Sequence, residues 1–153
     1  MILLSIAGVP VFFISIGKGG LLTMTESNHL IPESKFDFGA IQRLDPKALS
    51  PILPELLVWL QDINWPVAIP MSKILLTVPN EIVPHVRNVL HTNDSEWIEW
   101  CLQYIVSFLP VALIRELELE LQRIAYSPTK EEVEGESHLT AQELLQTLDT
   151  AQK

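Results

Sequence analysis

The chain has 153 residues, of which 48% are hydrophobic, and such a length and composition suit one compact domain with a buried core. Its 19 acidic residues against 10 basic ones give a formal charge of −9, which repels phosphate backbones and anionic membranes and argues against nucleic-acid binding. A single cysteine, Cys101, excludes an internal disulfide and fits a reducing cytoplasm. We therefore expect a cytoplasmic protein whose negative charge either attracts a basic protein partner or only keeps the domain dispersed.

Residues 1–23 are nearly free of charge, and Lys18 is the first charged side chain. Gly8 and Pro10 interrupt an apolar run that is shorter than the roughly 20 residues of a transmembrane helix, and a signal peptide has its basic residues before the apolar core. Codons for Lys18, Gly19 and Gly20 can contain the purine-rich signal that bacterial ribosomes recognise just before a start codon, and Met24 follows after three residues. We therefore predict that translation begins at Met24, with a membrane or signal anchor as the alternative if the leader is made.

The rest of the chain divides into an extended lead-in, residues 24–35, and a single all-helical domain, residues 36–150. After a short helix near Ile41, Asp45 followed by a proline predicts an N-cap with proline at the first helical position. Ser50 followed by Pro51 predicts the start of the next helix in the same way. Behind it, apolar residues repeat at the three-and-four spacing of one buried helix face: Ile52, Leu53, Leu56, Leu57 and Leu60.

Prolines in this region predict where helices begin, because the first-turn N–H groups have no intrahelical acceptor. We place Pro54 in such a first turn, and we expect a polar hinge at residues 61–64 before a new start at Pro66. Pro70 either kinks that next helix or begins its regular part, which we expect from about residue 69 to residue 77. A further helix opens near residue 79 with Pro84 close to its start.

The spacing of Asn93 and Glu96 resembles a capping box and predicts a long apolar helix over residues 97–109. ELELEL, residues 116–121, alternates like a strand, but the wider window favours a helix through residues 113–124.

The acidic stretch that follows, residues 131–136, is predicted to be a solvated loop. Thr140 and Glu143 form a second capping-box pair, which predicts the start of the last helix.

An apolar residue followed by proline recurs at Leu53, Val83 and Leu109, with spacings of 30 and 26 residues. Helix pairs at about this period are typical of stacked repeats, so we predict an all-α fold, a short irregular α-solenoid of HEAT-like helix pairs, with a helical bundle as the alternative. ILPELLVWLQDINWPVA, EIVPHVRNVL, DSEWIEWCLQYIVSFLP and LQRIAYSPT together resemble a small bacterial family, domain of unknown function 5071, over about residues 31–148. The resemblance implies an all-helical, cytoplasmic bacterial protein and supplies no catalytic residues.

Motifs that carry chemistry are missing from the sequence. The four histidines are dispersed without the spacing of a helical metal pair, no phosphate-binding glycine loop opens a helix, and no GxSxG elbow occurs. Cys101 has apolar neighbours and no nearby cation, which indicates a structural thiol. We predict no enzyme activity, no catalytic residue, no metal and no cofactor.

The sequence therefore favours a protein–protein interaction module, and more specifically an immunity protein that blocks a basic toxin. Its candidate binding residues are polar or aromatic positions near predicted helix starts: Asp62, Asn64, Trp65, Asp94 and Glu96. The alternative is a small-ligand-binding protein or enzyme with a pocket between helices, lined by Trp65, Trp97 and Cys101.

Overall fold

The computed structural model describes residues 2–4, 11–16, 22–27 and 38–151. The chain forms two compact units, residues 1–52 and residues 53–153. The predicted division at residues 23 and 35 stays a prediction, as does the start at Met24.

The first unit contains three strands that the sequence analysis did not predict. These are β1 (Ile2–Leu4), β2 (Val11–Ile16) and β3 (Leu22–Ser27), paired antiparallel in the order β1-β2-β3. The register places Ile2 opposite Ile14 and Ile14 opposite Met24, so β3 continues across the proposed start. Most of the predicted lead-in, from residue 28 to residue 35, lies outside the described residues.

Two short helices complete the first unit, α1 (Phe38–Gln42) and α2 (Pro46–Leu49), followed by a 3₁₀ turn at Ser50–Ile52. The predicted cap of α2 is confirmed: the Asp45 carboxylate accepts a hydrogen bond from the N–H of Ala48 at 2.9 Å, and Pro46 is the first helical residue.

The second unit is helical throughout its described residues. Its helices are α3 (Leu53–Leu57), α4 (Ala68–Leu75), α5 (Pro79–Leu90), α6 (Ser95–Tyr104), α7 (Val111–Arg115), α8 (Glu118–Tyr126), α9 (Lys130–Glu134) and α10 (Ser137–Thr150). Helix α10 packs on α6, α7, α8 and α9, while α5 packs on α3, α6 and α7. The all-α prediction is thus confirmed for the predicted helical domain over residues 38–151, and the choice between solenoid and bundle stays a prediction.

Two of the four prolines of the second unit that were predicted at or near helix starts lie in first turns. A third, Pro66, lies in the turn two residues before α4, so the predicted start there is wrong. Pro54 is the second residue of α3 and Pro70 the third residue of α4, so both lie in first turns. The prediction for Pro84 is wrong, because this residue is the sixth of the twelve residues in α5. A proline there leaves the Asn80 carbonyl without its usual i+4 donor. Pro79 opens the helix instead, so the apolar-proline echo does not mark equivalent helix starts.

Predicted long helices are divided in the structure. The stripe from Ile52 to Leu60 is split between a 3₁₀ turn, α3 and a 3₁₀ segment at Val58–Gln61. The predicted helix over 97–109 ends at Tyr104 and is followed by a 3₁₀ turn at Val106–Phe108. The last four residues of ELELEL, 118–121, are helical as predicted, whereas the first two, Glu116 and Leu117, form the turn that separates α7 from α8.

Two of the predicted caps are wrong, those at Asn93 and Thr140. Asp94, rather than Asn93, is the N-cap of α6, and its carboxylate accepts from the N–H of Trp97 at 3.0 Å. Thr140 lies inside α10, where its hydroxyl bonds Glu99 instead of capping a helix.

The acidic stretch predicted as a loop is mostly the helix α9, which begins with a complete capping box between Thr129 and Glu132. The loop prediction is therefore wrong. Glu136 follows in the left-handed region, with φ of 63°, and reverses the chain into α10.

Arginine side chains tie the helices of the second unit together at their C-terminal ends. Arg87 donates to the Glu116 carbonyl at 2.6 Å, and Arg123 donates to the carbonyl of Leu90, the last residue of α5, at 3.2 Å. Last-turn carbonyls have no intrahelical donor, so these guanidinium groups satisfy them and oppose the negative end of the helix dipole. Beneath these contacts lies an apolar core that includes Leu56, Leu60, Met71, Leu75, Ile82, Leu90, Ile98, Leu117, Leu121 and Ile124.

Candidate functional site

A polar cavity lies where the turn from α5 to α6 meets the start of α9. Its volume is about 350 Å³, within the range of about 300–1,000 Å³ that is usual for ligand pockets. We call it the turn cavity, and its lining residues are Thr92, Asn93, Ser95, Ile98, Thr129, Glu131 and Glu132. Apart from Ile98, every lining side chain carries a hydrogen-bonding group.

Local hydrogen bonds explain why the chain turns here. Thr92 donates its hydroxyl hydrogen to the Val89 carbonyl at 2.7 Å and accepts from the N–H of Asp94 at 3.3 Å. Asp94 then caps α6 through the N–H of Trp97. These contacts end α5 and begin α6 with four residues between the two helices, and Asn93 is exposed in this turn.

On the α9 side of the turn cavity, the lining residue Glu132 forms an ion pair with Arg123. The Glu132 side chain is only 3% exposed and accepts two hydrogen bonds from Arg123, at 2.6 Å and 3.0 Å, and one from the N–H of Thr129 at 2.8 Å. Burial alone would raise the pKa of Glu132, but the Arg123 hydrogen bond, the Thr129 N–H and the Arg123 charge outweigh it and lower that pKa. Glu132 therefore remains ionised and is neutralised inside the protein.

Three polar side chains of the turn cavity have no hydrogen-bond or ion-pair partner among residues 38–151. The Asn93 amide, the Ser95 hydroxyl and the Glu131 carboxylate form no side-chain hydrogen bond or ion pair with the described residues. Glu131 is exposed, and its neighbour Lys130 is directed to Glu134 at 3.4 Å. The cavity thus offers one free carboxylate beside two neutral hydrogen-bonding groups.

A smaller cleft of about 130 Å³ adjoins the turn cavity, and Thr92 lines both. We call it the Trp97 cleft, lined by Pro54, Leu57, His85, Asn88, Val89, Thr92 and Trp97. The Trp97 indole N–H donates to the Leu57 carbonyl at 3.1 Å, so the polar atom of this ring is already bonded. What the half-buried indole presents to the cleft is apolar surface.

The five predicted binding residues fall into two groups. Asp62, Asn64 and Trp65 lie in the turn before α4, where the Asp62 carboxylate accepts from the backbone and side chain of Asn64 at 2.9 Å and 3.0 Å. Trp65 packs edge-on against Trp59 with ring centroids 5.6 Å apart. This turn is thus stabilised by its own contacts.

Asp94 and Glu96, the other predicted pair, are exposed and flank Ser95 in the chain; Ser95 lines the turn cavity, whereas these two residues do not. Asp94 doubles as a cap, whereas Glu96 has no ion pair with a described residue. The lining residues at the start of α9, Thr129, Glu131 and Glu132, were not predicted, because residues 131–136 were assigned to a solvated loop. The Thr129 to Glu132 spacing was the signal that could have identified them.

The alternative pocket was predicted from Trp65, Trp97 and Cys101, and of these only Trp97 lines either cavity described above. Cys101 is fully buried, and burial together with the nearby Asp94 charge raises the pKa of its thiol far above the ordinary value. A buried neutral thiol is neither a nucleophile nor a metal ligand, so the structural role predicted for Cys101 agrees with its position.

No group of three or more His, Cys, Asp or Glu side chains in the described part of the chain could hold a metal ion. Within the same residues, no helix has the length and apolar character needed to cross a membrane.

Comparison with protein-family models gives a match over most of the chain. The family model described as Domain of unknown function (DUF5071) matches residues 30–145, which is most of the chain and confirms the resemblance stated above. No curated protein matches the chain.

Proposed function

The chain belongs to the DUF5071 family, and we propose that it is a non-enzymatic interaction module whose acidic surface binds a basic protein. The observation that supports this proposal most directly is the charge balance around the turn cavity. Asp94, Glu96 and Glu131 carry carboxylates without an ion pair among residues 38–151, whereas Glu132 is neutralised by Arg123. Unpaired surface carboxylates attract and orient a partner of opposite charge.

A more specific form of the proposal is an immunity protein that blocks a basic toxin in the cytoplasm. The small size and the charge of −9 support it, since a compact acidic chain can cover a basic active surface without chemistry of its own. A gene for a toxin-like basic protein beside the gene for this chain would favour this form. A partner without toxic activity would contradict it.

The test is capture of the partner by the tagged full chain from its native cell, with identification by mass spectrometry. We expect a basic protein that is released as the salt concentration rises, because ionic strength screens exposed charge pairs. Recovery of no protein, or of a partner whose binding does not respond to salt, would contradict the proposal.

A matched pair of variants separates the turn cavity from net charge. The site variant combines Asp94→Asn, Glu96→Gln and Glu131→Gln, and the asparagine retains the capping ability of position 94. The control combines Glu81→Gln, Glu143→Gln and Asp149→Asn, three exposed positions that line neither cavity. Both variants lose three negative charges, and only the site variant should lose the partner.

A further inference from the structure

We propose that the turn cavity takes an arginine or lysine side chain of the protein partner and that the Trp97 cleft takes a neighbouring apolar side chain of the same segment. This inference rests on the proposed function and names the pattern that the partner would present. It is carried by two adjoining cavities of different chemistry that share one wall, Thr92.

Charge selects a cation for the turn cavity. Glu132 contributes no net charge because Arg123 neutralises it, which leaves Glu131 as the one lining carboxylate without an internal cation among the described residues. The N–H groups at the start of α6 would favour an anion, but Asp94 already caps that end. A single positive charge on the occupant therefore balances the negative charge of Glu131.

Hydrogen-bonding capacity favours the same occupant. A guanidinium or ammonium group only donates, so it requires several acceptors that are not already used. The Glu131 carboxylate, the Ser95 hydroxyl and the Asn93 side-chain oxygen supply such acceptors. Ile98 forms the apolar part of the lining, which suits the methylene stem of a long basic side chain.

The Trp97 cleft has the opposite character. Its walls include Leu57, Val89 and the Trp97 ring, whose N–H is occupied by the Leu57 carbonyl. A volume of about 130 Å³ suits one apolar side chain. Since both cavities reach Thr92, a turn-like segment that presents a basic side chain and an adjacent apolar one on the same side can enter both.

Blocked amino acids test the cavity directly on the full chain. We would add α-N-acetyl-arginine amide to the ¹⁵N-labelled protein and follow the amide signals of Asn93, Ser95 and Glu131. Blocked citrulline, which has the same shape without the charge, is the matched control. We expect shifts at these three signals with a dissociation constant on the order of millimolar for blocked arginine, and none for blocked citrulline.

Two single variants test whether blocked arginine binds in the turn cavity. Glu131→Gln should weaken blocked arginine about two- to fivefold, the range for one exposed charge pair, while Glu143→Gln, with the same charge change outside both cavities, should leave it unchanged. Blocked arginyl-leucine should in addition move the Trp97 indole signal, and arginyl-glycine should not. Equal effects of the two variants, or equal shifts from blocked citrulline, would overturn the inference.

Partner capture distinguishes this inference from the proposed function. If a basic protein is captured and Glu131→Gln does not weaken it, the cavity inference is wrong and the proposed function stands. If blocked arginine binds but the cell yields no partner, the proposed function is wrong and the cavity serves a small free cation. Weaker binding of both the probe and the partner on Glu131→Gln alone supports the two together.

Discussion

Glu132→Gln removes the one carboxylate among residues 38–151 that is both buried and paired with a cation. The substitution preserves the shape of the side chain and one acceptor oxygen, but it removes the negative charge to which Arg123 and the Thr129 N–H donate. It also turns the second acceptor oxygen into an NH2 group, which faces a donor. It also weakens the capping box of α9.

Two limits bracket the cost of this change. Breaking a fully buried pair costs about 3–5 kcal/mol, whereas exposed pairs contribute about 0–1 kcal/mol. Glu132 is 3% exposed and Arg123 is 37% exposed, so water screens the charge that Arg123 retains. We therefore expect a loss of about 2 kcal/mol in the free energy of unfolding, and a melting temperature about 4–8 °C lower.

Urea and thermal unfolding followed by circular dichroism measure this loss, and Glu134→Gln provides the control on the same helix. Glu134 pairs with Lys130 at 3.4 Å with side chains 65% and 82% exposed, so its substitution should cost less than about 0.5 kcal/mol. Equal losses for the two variants would refute the conclusion that Glu132 is the structural carboxylate of this wall.

Three further predictions concern the same region. Because the pKa of Glu132 is lowered in the folded protein, its contribution to stability is complete above the unfolded pKa of about 4.3 and is lost as pH falls through the folded pKa. Glu132→Gln should therefore make the free energy of unfolding fall less steeply with acidification. Equal slopes for the two proteins at acidic pH would contradict this. Asp94→Ala should lower the free energy of unfolding, measured with urea, by about 1 kcal/mol, and Asn93→Ala by less than about 0.5 kcal/mol, because only the aspartate caps α6. A larger loss for Asn93→Ala would show that Asn93 is the cap, as the sequence predicted. Cys101 should resist a thiol reagent in the folded protein and react fully in guanidinium, since its thiol is buried and neutral; rapid native labelling would show that the α6 core opens.

The sequence determined the helical class of the second unit and many of its helix starts. Those properties are local: apolar spacing sets which face of a helix is buried, and a proline in a first turn sacrifices no hydrogen bond, as at Pro54 and Pro70. The burial of Cys101 was also readable, because its neighbours at helical spacing are apolar.

Only the tertiary structure decided which acidic residues are free and which are used. Glu131 and Glu132 are adjacent and chemically identical, yet Arg123, nine residues before Glu132, neutralises just one of them. The pairing depends on α8 and α9 lying side by side, and side-chain periodicity carries no information about such a contact. The turn cavity arises for the same reason, since its two walls are about 35 residues apart in the chain and meet only where α9 packs against α6.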